Sequence, residues 1–149
     1  MHTPLPTFFG RLTTVLSEHE HLRETLRSLA TLCSALEGGQ MTLPSELEPR
    51  SLMQTLSTEL STHFEAEESH AHFGTMAQER PDLLPGIVDL KTEHRAILEA
   101  VRNLAWVVED SARWGELPVP ARALIAKLRS HEQDEAELVR GYINGKRAR

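Results

Sequence analysis

His63 and Glu67 stand four residues apart, and the same spacing recurs at His131 and Glu135. On a helix, positions i and i+4 lie on one face, so each pair can aim an imidazole and a carboxylate at the same place. His19 and His94 offer further imidazoles on separate segments. A single histidine on an apolar face is usually a hydrogen-bonded core residue, and any of these four alone would be read that way. Together they are harder to explain, because burying four imidazoles and two carboxylates without partners costs several kcal/mol for each ionised group. A bound dication removes that penalty. Imidazole with carboxylate and no thiolate suits iron, manganese or zinc rather than copper(I), and two carboxylates able to bridge suit a dinuclear site.

The segments that carry these groups read as four helices. After Pro4 and Pro6, Thr7 can cap a first helix whose apolar stripe includes His19, Leu22, Leu26, Leu29 and Cys33, ending at Gly38 and Gly39. His21 falls about 200° further round and faces away. A second helix carries Leu52, Leu56, Leu60, His63, Glu67 and His70 on one stripe and must break at or before Arg80, where two prolines and a glycine follow. A third, from about Gly86, places His94 among Ile87, Leu90, Ile97 and Val101. The fourth presents Leu124, Leu128, His131, Glu135, Leu138 and Tyr142 after the break at Gly115, Pro118 and Pro120. No stretch alternates with period two over a useful length, so no strand is expected. The expected architecture is all-α, an antiparallel up-down four-helix bundle in one domain, residues 1–149. In such a bundle all six candidate groups lie about 8 to 14 residues from a common end, roughly 12 to 21 Å, and so share one slab.

Composition narrows the function. With 22 acidic against 16 basic residues and a net charge of −6, the chain lacks a general phosphate-binding surface, and Lys146 to Arg149 form its one basic cluster. No nucleic-acid or membrane partner is expected. The single cysteine, Cys33, rules out an internal disulfide framework and cysteine-rich metal chemistry, and fits a reducing compartment. Without a secretory leader pattern or a long apolar run, the expected location is cytoplasmic.

The residues resemble the hemerythrin-like, or HHE cation-binding, domains. The resemblance rests on Glu18-His19 followed by Leu22, His63-Phe64 with Glu67-Glu68, Glu93-His94 followed by Ile97, and His131 with Glu135, in that order over nearly the whole chain. It implies two iron ions in a non-haem, oxygen-bridged centre, with His19, His63, His94 and His131 as terminal ligands and Glu67 and Glu135 as bridges. Oxygen-carrying hemerythrins have a second histidine four residues after the one in the third helix, and here that position is Leu98. The departure predicts open positions on both irons and argues against reversible oxygen carriage, unless His70 supplies a fifth imidazole.

Other readings fit less well. Glu67 to His70 is one Glu-x-x-His, of which ferritin-like bundles use two, and the His-Glu-x-x-His of zinc peptidases is absent. His2, His21 and His72 are expected at the surface, Cys33 in the core, Trp106 and Trp114 in packing or an interface, and Tyr142 in the core. The resulting expectation is a di-iron protein that reacts with or senses dioxygen, peroxide or nitric oxide in oxidative or nitrosative stress. The alternative is a module that stores, donates or senses iron without turnover.

Overall fold

The structure is a computed structural model that describes residues 8–40 and 42–147. The proposed cap at Thr7 lies outside the described residues. Helix α1 (Phe8–Glu37) ends where Gly39 turns to φ 77°, with Gln40 N donating to Ala35 O at 2.9 Å and Gly39 N to Leu36 O at 3.0 Å. This is a Schellman stop, which needs a residue free to enter the left-handed region. Helix α2 (Pro49–Glu67) starts with Pro49 at its first position, and the Glu48 carboxylate accepts from Ser51 N at 2.7 Å.

The second helix does not run on to Arg80. Glu68 flattens to ψ −1°, Ser69 becomes extended at ψ 159°, and a π turn follows over His70–Gly74, closed by Gly74 N donating to Ser69 O at 3.1 Å. A short α3 (Thr75–Glu79) continues to Arg80, whose backbone leaves the helical region before Pro81. Helix α4 (Leu84–Glu109) opens two residues before the expected Gly86. The connection to α5 (Pro118–Arg147) is a 3-10 segment at Ser111–Glu116, pinned by Trp114 Nε1 donating to Val108 O at 2.8 Å. Trp106, by contrast, is exposed. The described residues contain no strand, and no helix among them is long and apolar enough to cross a membrane.

The four long helices close a ring in which α1 packs on α2 and α5, and α4 packs on α2 and α5. The apolar stripes therefore meet in the middle, but they do so in two separate clusters. The larger holds Leu22 to Cys33 of α1, Leu52 to Phe64 of α2, Ile97 to Val108 of α4 and Leu117 to Leu128 around the start of α5. The smaller holds Phe73, Met76, Ile87, Leu90 and Tyr142. Between them, at the level of residues 19, 63, 94 and 131, lies a buried polar layer.

The larger cluster should dominate stability. Leu56 is fully buried at its centre. Leu56→Ala is expected to cost about 2–5 kcal/mol through lost transfer energy and an unfilled cavity. The exposed Val119, changed to alanine, should cost less than about 0.5 kcal/mol. Denaturant unfolding of the two variants, with circular dichroism as the readout, checks the contrast.

Candidate metal centre

Each long helix delivers its group to the polar layer from its apolar stripe, and the layer is almost sealed. Glu67 has no exposure, His63, His94, His131 and Glu135 have 1–3%, and His19 has 9%. All six residues singled out by spacing come together in two overlapping groups. His19, His63, Glu67 and Glu135 form one, and His94, His131, Glu67 and Glu135 the other, with the ligand atoms of each group within 4.8 Å of one another. His63 Nε2 lies 2.7 Å from Glu67 Oε1, and His94 Nε2 lies 3.7 Å from the same oxygen. His19 Nε2 and His131 Nε2 stand 3.8 and 3.7 Å from the Glu135 carboxylate. Both oxygens of Glu67, Oε2 of Glu135 and the Nε2 atoms of His94 and His131 are buried without a hydrogen bond among the described residues.

The outer nitrogens are engaged instead. His63 Nδ1 meets Glu18 Oε2 at 3.0 Å, His94 Nδ1 meets Glu68 Oε2 at 3.0 Å, and His131 Nδ1 meets Glu93 Oε2 at 2.6 Å. Each carboxylate comes from the neighbouring helix. A proton on Nδ1, donated to a carboxylate, leaves the lone pair on Nε2 pointing inward, the tautomer a metal needs. The aromatic surroundings fix the rings further. Phe64 stacks on His94 at 3.8 Å and 11°, and meets His131 edge-on at 5.6 Å.

Electrostatics agrees with the geometry. Burial first, then interaction with His63, Arg23, His131 and His72, lowers His19 to about 3, and burial with His131 and His63 lowers His94 to about 3. Both rings are therefore neutral at pH 7. Burial raises Glu67 to about 8, with contact to Glu135 opposing the rise and Glu18, Glu68 and Glu132 adding to it. Burial and the contact with Glu67 push Glu135 well above the usual carboxylate range. Two acids pressed together in an apolar layer keep protons that a cation can replace. The inward lone pairs, orphaned oxygens and thiolate-free donor set fit a metal.

A family model, the hemerythrin HHE cation-binding domain, matches residues 11–143. The chain belongs to this family. No curated protein and no solved structure matches it. In this hemerythrin-like chain the expected second histidine of the third long helix is Leu98, which packs against the larger apolar cluster.

Two expectations about the remaining histidines need correction. His70 does not share the face of His63; it is exposed and belongs to neither group. His72, expected at the surface, is fully buried. The cause is the same for both, since the extended Ser69 and the π turn interrupt the helical phase after Glu67. His21 is exposed, as its phase required. Tyr142 is buried and donates to Glu79, and Cys33 is in the core. Helical spacing alone gives Glu18, Glu68 and Glu93 no role. Each is a direct sequence neighbour of a layer residue, and that adjacency was the available signal.

Two outcomes follow for this HHE chain. Glu93→Ala should leave the helical content intact and weaken metal retention about 10- to 100-fold, because His131 loses the group that orients it; competition with a chelator measures this. The second concerns pH in protein stripped of metal. The folded chain keeps a proton on Glu67 up to about 8, against an ordinary 4.5, so that stability is complete below 4.5 and is lost as pH rises through 8. His19 and His94, held near 3 against 6.5, act in the opposite sense, and stability falls as pH drops below 6.5. The thermal midpoint of chelator-treated protein should therefore fall between pH 6.5 and 8, and bound metal should abolish that alkaline loss.

Proposed function

We propose that this chain is a non-haem di-iron protein that reacts with or senses small oxidants, namely dioxygen, peroxide or nitric oxide, in oxidative or nitrosative stress. The observation that carries the reading is the sharing of Glu67 and Glu135 by both four-residue groups. A carboxylate common to two sets of donors favours two ions about 3.5–4 Å apart, the separation of two-metal sites. Bound there, a pair of irons would supply adjacent redox-active Lewis acids able to take a small ligand.

The protein's own contribution is positional. His19, His63, His94 and His131 would be terminal donors, with three of them held in the correct tautomer by Glu18, Glu68 and Glu93. Glu67 and Glu135 would give up their protons on metal uptake and carry the negative charge that compensates the cations. The apolar clusters on either side exclude bulk water from the layer, which strengthens every electrostatic interaction within it.

Anaerobic iron loading followed by elemental analysis tests the reading, with about two irons per chain expected. No more than trace metal sinks it. His19→Ala should lose iron and His21→Ala should not, since only His19 reaches the layer. Mixing the ferrous protein with dioxygen, peroxide or nitric oxide, followed by its visible spectrum, then separates a reactive centre from an iron store. Two irons that respond to none of the three leave storage or donation as the function.

A further inference from the structure

The donor layer is built from two matching halves. Glu18-His19 on α1, with His63, Glu67 and Glu68 on α2, corresponds to Glu93-His94 on α4, with His131, Glu135 and Ala136 on α5. The match extends to contacts, since Glu18 meets His63 Nδ1 at 3.0 Å and Glu93 meets His131 Nδ1 at 2.6 Å. Glu68 then crosses to His94 Nδ1, also at 3.0 Å. Its counterpart beside Glu135 is Ala136, so the repeat breaks at the one place that would serve His19. Among the described residues no carboxylate meets His19 Nδ1, and Glu135 faces Nε2 instead, at 3.8 Å. Residues 1–17 contain no Asp or Glu to take the role. Glu132, one turn before Ala136, meets Arg23 at 3.6 Å.

His19 is in consequence the least fixed of the four imidazoles. Its exposure is 9%, against 1–3% for the other three. The His94 ring is stacked on Phe64 at 3.8 Å and lies parallel to Phe73, and His131 meets Phe64 edge-on. Beside the His19 ring stands that of His63, tilted by 55° at 4.3 Å. Arg23, one turn along α1, adds a positive charge that acts on His19, and such a charge opposes a cation held there. A ligating imidazole whose outer N–H lacks an acceptor is less basic and freer to turn. One four-residue group therefore has both of its histidines braced, and the other has only His63.

We propose that the ion held by His19 and His63 is the exchangeable member of the pair, given up to iron(II) acceptors and taken back while the ion held by His94 and His131 stays in place. This rests on the dinuclear reading above and deepens it into release by halves. Glu67 and Glu135 belong to both groups, so the remaining ion still compensates them and the layer is not left with two unpaired charges. The seam between α1 and α5 is the side from which His19 can swing, because the position that would brace it is the exposed Ala136. Partial release lets the folded chain follow iron supply without dismantling its core.

The test follows iron leaving anaerobically loaded protein into an excess of a phenanthroline-type chelator, whose iron(II) complex is read by absorbance. Native protein should release its iron in two phases, about one ion in each. Ala136→Glu, which supplies the missing carboxylate, should slow the fast phase about 10-fold and leave the slow one unchanged. Glu68→Ala should instead speed the slow phase about 10-fold, and His19→Ala should keep about one iron per chain, released slowly. Two irons that leave native protein in a single phase overturn the proposal, as does a fast phase that Ala136→Glu does not slow or that Glu68→Ala alone alters. Native protein that never holds two irons overturns the dinuclear reading and this proposal together, so the two failures are distinguishable. Circular dichroism is recorded for each variant. Should Ala136→Glu lose its helical signal, Ala136→Gln, whose amide oxygen also accepts a hydrogen bond, is read by the same criteria.

Discussion

Two carboxylic acids buried face to face are the constraint around which this bundle is arranged. Glu67 and Glu135 lie in an apolar interior, and neither can ionise there without a counter-charge. Protons satisfy them in the absence of metal, and cations can replace those protons. Two of the imidazoles around them have the complementary property, since desolvation keeps His19 and His94 neutral and their lone pairs free. Neutral donors beside two displaceable protons make the layer poised for cations.

The rest of the architecture keeps that layer dry and aligned. Apolar clusters above and below exclude water, and each supplies a ring parallel to that of His94: Phe64 from the larger and Phe73 from the smaller. The histidines are steered from outside by carboxylates that cross between helices, from α1 to α2, α2 to α4, and α4 to α5. Every such carboxylate is a direct sequence neighbour of a layer residue, so one short stretch of helix both donates to the centre and braces the donor next door.

Much of this was legible in the sequence because helical phase is a strong signal where it is unbroken. The stripe through His19, Leu22, Leu26 and Leu29 placed His19 inward and His21 outward, as the structure has them. The spacings at His63 and Glu67 and at His131 and Glu135, with the apolar stripes through His19 and His94, pointed to all six layer residues. Phase reasoning failed at Ser69. Glu-Ser-His-Ala-His-Phe contains no proline or glycine, and its pattern is compatible with a continuous helix, so His70 and His72 exchanged their expected surroundings. The roles of Glu18, Glu68 and Glu93 were hidden for a different reason. Which helices are neighbours, and at what height, is a tertiary property that no single stripe encodes.

Both four-residue groups contain Glu135, and Glu135 belongs to α5, the last of the four long helices to be synthesised. A nascent chain that has released α1, α2 and α4 already displays His19, His63, Glu67 and His94, but neither group is complete. Metal capture at full strength is therefore tied to completion of the fold rather than to translation, and an ion met early has only a partial, weakly holding set of donors. The helix that closes the bundle is also the one that closes the choice of metal.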